Sequence, residues 1–129
     1  MHFWQRYADV IFLALQYNTA RKNLMKKTYN KLVRDNIPEI IQSSGKSCTT
    51  EVLSDEDYLR MIDAKLDEEL AEYHEAGSIE ELADLLEVIY AAASARGSSP
   101  EELERVRVRK AHERGSFNRK LLLKEVVEN

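Results

Sequence analysis

The chain has 129 residues, a length that predicts one domain. A third of the residues are charged, 43% are hydrophobic, and only four glycines and two prolines occur, a composition that favours a soluble helical protein. The net charge of −4 indicates no particular partner, and the single cysteine, Cys48, excludes an intrachain disulfide and a multi-cysteine zinc site and favours a reducing, cytoplasmic setting.

The first predicted element is a helix over residues 3–24. Its apolar run Val10–Leu15 is far shorter than the ~20 residues of a membrane span and is not a convincing signal peptide. Two interpretations stay open: a docking helix, or an over-extended gene start with Met25 as the true first residue. In either case residues 1–28 form an N-terminal extension and 29–129 the main domain. The apolar stripe of the helix would be Trp4, Tyr7, Ile11 and Leu15.

Capping residues and glycine stops predict the later elements. The expected helices cover about residues 36–43, 54–77, 78–96 and 99–114. Two short segments that are apolar or rich in β-branched residues, 47–53 and 117–126, are predicted to be strands. They could pair in a small two-stranded β element. The predicted fold class is therefore all-α, a helical bundle with that one small addition.

Two acidic pairs lie on consecutive predicted helices: Glu69 with Glu72, and Glu81 with Asp84. A three-residue step puts both carboxylates of a pair on one helix face, about 5–6 Å apart at the Cβ atoms. If the helices fold back antiparallel, all four carboxylates converge and repel one another unless a cation lies between them. Oxygen ligands of this kind suit Mg²⁺, with Mn²⁺ as the alternative.

The second of these helices is apolar nearly all round from Leu85 to Ala93, so Asp84 and Glu87 are expected to be anions on a largely buried element. Burying an unpaired carboxylate costs several kcal/mol, so such a group needs a cation. Simpler interpretations stay open: Glu81 completes a capping box with Ser78, and the acids of the preceding helix, Glu68 among them, form a solvated face. A ferritin-like di-iron site is excluded, because neither His74 nor His112 has a glutamate three residues upstream.

The region from Tyr29 to Val126 resembles the MazG-like all-α nucleotide pyrophosphohydrolases, in their phosphoribosyl-ATP pyrophosphohydrolase-like branch. The segments that carry the resemblance occur in the family order: Tyr29–Ile41, Lys65–Glu72, Glu80–Ile89 and Lys110–Phe117. The gap between the two acidic pairs is shorter than is usual in the wider superfamily, which puts the shape of the base pocket in doubt.

The resemblance implies a Mg²⁺-dependent enzyme that cleaves a nucleoside triphosphate, or a nucleotide like phosphoribosyl-ATP, to the monophosphate and pyrophosphate. It implies homodimers or dimers of dimers with a four-helix core, and a role in cleaning the nucleotide pool. The carried-over metal ligands are Glu69, Glu72, Glu81 and Asp84. A carboxylate off the metal would orient the attacking water, and the candidates are Glu68 and Glu87. The expected phosphate contacts are Lys31, Arg34, Lys65, Lys110 and Arg114.

Two other classes of function stay open at this point. One is a catalytically silent helical interaction or regulatory module. The other is a nucleic-acid binder, suggested by the basic stretch Arg21–Arg34, although its aromatic content is only Tyr29 and the chain as a whole is acidic. The preference for base and sugar does not follow from the sequence.

Overall fold

A computed structural model describes residues 2–24 and 26–129, with the side chains of residues 5–17 and 26–129. The described chain is helical and contains no strand, which confirms the all-α class. The elements are α1 (His2–Leu24), α2 (Ile37–Ser43), α3 (Asp55–Ala76), α4 (Ile79–Ala95) and α5 (Pro100–Arg114).

The chain divides into two compact units, Met1–Asn30 and Lys31–Asn129. The first unit contains α1, and its described side chains, residues 5–17, are all exposed. Tyr7, Ile11 and Leu15 of the predicted stripe are therefore exposed, whereas the side chain of Trp4 lies outside the described residues. Within the described residues no helix combines the length and the apolar character needed to span a membrane.

A variant that begins at Met25 should fold, and it should keep the assembly and the activity that the resemblance implies. The described side chains of α1 are exposed, so removing them takes little buried apolar surface from the protein. Circular dichroism, light scattering and an activity assay, each run beside the full chain, check this expectation. Loss of cooperative melting, or a loss of helical signal larger than the 23 residues of α1 account for, would instead show that α1 belongs to the core.

Helices α3, α4 and α5 begin at serine caps, as the sequence predicts. Ser54 Oγ accepts a hydrogen bond from the backbone N–H of Asp57 at 3.2 Å, and Ser99 Oγ accepts one from that of Glu102 at 3.1 Å. Each cap satisfies a backbone donor that has no partner within the helix. Helix α3 ends at Gly77, whose φ of +63° is a left-handed conformation that glycine adopts without strain.

Helices α3 and α4 form a hairpin, because only Gly77 and Ser78 connect them and the two helices pack along each other. Helix α5 packs against α4 over a smaller contact. The core between these helices is thin: among the described residues, Ile62 is the single apolar residue that is buried. The hairpin is the element that positions the acidic residues.

The predicted strands at residues 47–53 and 117–126 are wrong. Both segments lack regular structure, and Val52 and Phe117 are almost fully exposed. A two-stranded ribbon is marginal in water unless one face packs on a core, and neither segment does so. The segment after α5 instead leaves several large apolar side chains exposed: Leu121, Leu122, Leu123, Val126 and Val127.

The expectation that α4 is largely buried is also wrong within one chain. None of its residues is buried, and Glu87 is exposed. Helix α4 contacts α3 and, less extensively, α5, so one of its sides packs against no other helix of the unit Lys31–Asn129. That side carries an exposed apolar stripe, which we call the α4 stripe: Ile79, Leu82, Ala83 and Leu86.

Candidate metal centre

Five carboxylates converge where α3 and α4 pack together. We call this the acid cluster: Glu68, Glu69, Glu72, Glu81 and Asp84. Oxygen atoms of the three α3 residues lie within 4.8 Å of one another, and the same holds for oxygens of Glu69, Glu81 and Asp84. Glu69 belongs to both groups, so it is the residue that joins the acids of the two helices.

Glu69 is the buried member of the acid cluster. The residue keeps 6% of its accessible surface, and its Oε2 atom is buried without a hydrogen-bond partner among the described residues. An unsatisfied buried carboxylate oxygen is costly, since it has lost its water and gained no donor. A cation bound between the two helices would satisfy this atom.

Three cationic side chains contact the acid cluster. Lys65 lies one helical turn before two of the acids, and its Nζ is 3.2 Å from Glu68 Oε1 and 3.1 Å from Glu69 Oε1. Lys31 Nζ lies 2.9 Å from the same Glu68 oxygen, and Arg34 Nη2 donates to Asp84 Oδ1 at 2.7 Å. The segment before α2 is thereby tied to both helices of the hairpin.

These contacts shift the pKa values of neighbouring groups in opposite directions. The hydrogen bond from Lys31 lowers the pKa of Glu68, against a smaller effect of burial, and Lys65 adds to the lowering. Burial opposes the charge of Lys65, but its two carboxylate partners together raise its pKa above the ordinary value. Repulsion from Glu69 raises the pKa of Glu72, the exposed member of the cluster. Lysines therefore neutralise the cluster at Glu68, whereas the negative charges of Glu69 and Glu72 repel each other.

The charges of the site fit a divalent cation. With every group ionised, the acid cluster and the three cations leave two negative charges in excess. The donors are all carboxylate oxygens, the set that Mg²⁺ and Mn²⁺ prefer over softer metals. The charge of Glu69 repels that of Glu72, and Glu69 Oε2 has no hydrogen-bond partner among the described residues. A cation bound beside these two carboxylates would remove the repulsion.

Glu81 takes part in a helix cap and in the acid cluster at once. Its backbone N–H donates to Ser78 Oγ at 3.4 Å, as in a capping box. The reciprocal bond, from the Ser78 N–H to the Glu81 carboxylate, does not occur between these two described residues. The carboxylate instead lies within 4.8 Å of those of Glu69 and Asp84, so the capping role leaves it available as a ligand.

Three of the residues singled out from the sequence lie apart from the acid cluster. Glu87 is exposed and belongs to neither acidic group. Lys110 and Arg114 lie in the last turns of α5 and are exposed, and neither forms an ion pair with a described acidic residue. Within a single chain, these three side chains are therefore not brought together with the acid cluster.

Sequence reasoning missed the inward position of two residues. Glu68 was expected to face solvent or orient a water, and Lys65 was expected to contact phosphate, yet the two side chains form an ion pair beside Glu69. The signal was present, since a lysine three and four residues before two glutamates can reach both of them on a helix.

A groove of about 980 Å³ lies elsewhere, between Tyr90 and α5. None of its lining residues belongs to the acid cluster, and its walls mix apolar side chains such as Val106 and Val108 with Arg105 and Arg109. Three glutamates also line the groove, but two of them are paired with arginines. The acid cluster is therefore the stronger candidate for a metal site, because its negative charges exceed the positive charges around it.

Comparison with known proteins gives one partial relative. The chain is 52% identical over 46 residues to an uncharacterized protein of Mycolicibacterium smegmatis (strain ATCC 700084 / mc(2)155). The match spans 36% of this chain and 47% of that relative, so the chain covers about half the length of the protein it matches. No family model matches the sequence, and no solved structure matches it.

Proposed function

We propose that the protein is a Mg²⁺-dependent nucleotide pyrophosphohydrolase, with the acid cluster as its metal centre. The observation that carries the proposal is the buried Glu69, which belongs to both acidic groups and whose Oε2 has no hydrogen-bond partner among the described residues. The residues that would hold the metal are Glu69, Glu72, Glu81 and Asp84. The resemblance to MazG-like enzymes supports the same ligands and supplies the reaction class.

The proposed reaction is hydrolysis between the α- and β-phosphates. A water oxygen bonds to the α-phosphorus, the bond from that phosphorus to the bridging oxygen breaks, pyrophosphate leaves, and a proton is released to solvent. A bound Mg²⁺ supplies charge neutralisation at the phosphates and lowers the pKa of water. Glu68, whose Oε1 contacts two lysines beside the proposed ligands, would accept a hydrogen bond from the attacking water and orient it.

Lys31 and Arg34 are the proposed phosphate contacts. Both belong to the segment before α2, and both reach the acid cluster from a different part of the chain than the ligands themselves. Each is partly exposed, so a phosphate oxygen can approach it from solvent while its carboxylate partner stays in place. Arg34 offers paired donors that suit phosphate, whereas Lys31 acts as a point charge.

A pyrophosphate-release assay against a panel of nucleoside triphosphates and phosphoribosyl-ATP tests the function. With Mg²⁺ present, release of pyrophosphate rather than orthophosphate is expected, and chelation of the metal should stop it. Absence of release across the panel, from a folded protein that binds the metal, would favour a silent interaction module. The panel also identifies the base and sugar preference.

Replacing Arg34 with alanine should reduce kcat/KM more than it weakens Mg²⁺ binding. A hydrogen bond to a charged group contributes about 1.5–3 kcal/mol, or roughly 10- to 100-fold in kcat/KM. Steady-state kinetics and calorimetric Mg²⁺ titration without nucleotide provide the two readouts.

The matched control for that variant is Arg96→Ala. Arg34 and Arg96 keep 58% and 60% of their side-chain exposure, and each pairs with an aspartate on another element. The partner of Arg96 is Asp63, which lies outside the acid cluster. Equal kinetics for the two variants would show that Arg34 only forms a surface ion pair, and its phosphate role would be rejected.

We further propose that the protein acts as a homo-oligomer whose minimal unit is a C₂ dimer. The support is the α4 stripe together with the thin core of the single chain. A chain of this size has limited internal surface to bury, so an exposed apolar helix face gains stability when a second copy covers it. Pairing the α3–α4 hairpins of two copies would form a four-helix core beside the acid cluster.

A further inference from the structure

The position of Lys65 differs from that of the other two cations. Only 17% of its side-chain surface is accessible to solvent, compared with 42% for Lys31 and 58% for Arg34. Its Nζ contacts two carboxylates of its own helix, Glu68 and Glu69. An ammonium group enclosed in this way has little surface left for a phosphate oxygen.

The two oxygens of Glu69 have different surroundings. Oε1 lies 3.1 Å from Lys65 Nζ, whereas Oε2 is buried and has no hydrogen-bond partner among the described residues. A carboxylate that is held by one oxygen has a fixed plane, and that fixes the direction of the other oxygen. Partners of this kind, which orient a metal ligand, commonly change metal affinity or activity 10- to 100-fold when they are removed.

We infer that Lys65 is a positioning residue, which holds Glu69 by Oε1 so that Oε2 is presented to the metal. This inference rests on the proposed metal centre and replaces the expectation that Lys65 contacts phosphate. The sign of its effect on metal affinity makes it testable. A positive charge this close to a ligand repels a cation, so if charge alone mattered, removing Lys65 would tighten metal binding. If positioning matters more, removing it loosens metal binding.

The test is Mn²⁺ binding to the full-length protein without nucleotide, followed by electron paramagnetic resonance and calorimetry. Lys65→Met keeps the length of the side chain and removes its donor, and it should weaken Mn²⁺ binding about 10-fold. Lys65→Arg keeps a donor and a charge and should lose less. Arg60→Met, on the same helix and paired only with Asp57 among the described residues, is the control and should bind Mn²⁺ like wild type.

Two results would overturn the inference. Tighter or equal Mn²⁺ binding by folded Lys65→Met would rule out a positioning role. If Lys65→Met has an unchanged Mn²⁺ affinity and a raised KM for nucleotide, Lys65 contacts the phosphate of the substrate and does not position Glu69. Circular dichroism verifies folding, and if Lys65→Met does not fold, Lys65→Leu, which also removes the donor, is measured against the same criteria. Mn²⁺ binding is measured without nucleotide, so this test does not depend on hydrolysis. A wild-type protein that binds Mn²⁺ but hydrolyses no nucleotide would contradict the proposed reaction and leave the role of Lys65 intact.

Discussion

Replacing Asp84 with asparagine should abolish the proposed Mg²⁺-dependent hydrolysis while the protein stays folded. Asparagine keeps the shape of the side chain but removes a negative charge from the place where the acids of α3 and α4 meet. The neutral amide is a poorer ligand for a hard cation than a carboxylate. Pyrophosphate release and circular dichroism, measured on one preparation, check both parts of this expectation.

Thermal melts give a second readout for Asp84→Asn that does not depend on catalysis. At about 100 times its dissociation constant a ligand stabilises the folded state by about 2.7 kcal/mol, which raises Tm by roughly 10 °C for a domain of this size. Wild type should show such a rise with Mg²⁺, and the variant should show much less.

Glu80→Gln is the matched control for this position. Glu80 lies on the same helix, is exposed, and belongs to neither acidic group, so its neutralisation should leave hydrolysis and the Mg²⁺ effect on Tm intact. A folded Asp84→Asn protein with wild-type hydrolysis would refute the metal assignment. Equal losses in the two variants would attribute the effect to the general charge of α4.

The second large effect is expected for Leu86→Glu, which should convert the proposed dimer to monomers. Leu86 is about half exposed in the single chain, so covering it contributes about 1 kcal/mol per copy to the free energy of association. A C₂ interface contains Leu86 from both copies, so the substitution removes this contribution twice. Burying two new carboxylates adds a larger penalty. Together these terms should weaken association at least about 100-fold, which light scattering over a dilution series measures.

Val108→Glu on α5 is the comparison for Leu86→Glu. The two side chains keep 50% and 46% of their exposure, but Val108 lies outside the α4 stripe. If Val108→Glu dissociates the protein and Leu86→Glu does not, the interface lies at the groove between Tyr90 and α5 rather than at the α4 stripe. A wild type that is monomeric and active at micromolar concentration would remove the assembly proposal altogether.

The helix boundaries could be predicted because their determinants are local. Ser54, Ser78 and Ser99 cap helices, and Gly77 ends one, by contacts within a few residues. The convergence of Glu69 with Glu81 and Asp84 also followed, since spacing on two helices and a short link decide it. These features need no information about distant parts of the chain.

The remaining features depend on tertiary contacts that a pattern does not contain. Val52 and Phe117 have strand-like neighbours, yet no packed face exists to support a ribbon there. The apolar composition of α4 predicted burial, but composition does not say whether the covering surface comes from the same chain. The pairing of Arg34 with Asp84, fifty residues apart, is likewise set by the fold and not by spacing.

The link between α3 and α4 is as short as its two helix ends allow. Gly77 ends one helix in a left-handed conformation and Ser78 caps the next, so both residues already serve a terminus. One inserted residue would separate these roles and turn α4 by about 100° relative to α3, carrying Glu81 and Asp84 away from Glu69. The length of this link therefore fixes the distance between the two acidic pairs. Related sequences should tolerate length changes in the connection before α3 or in the segment after α5, but not in this link.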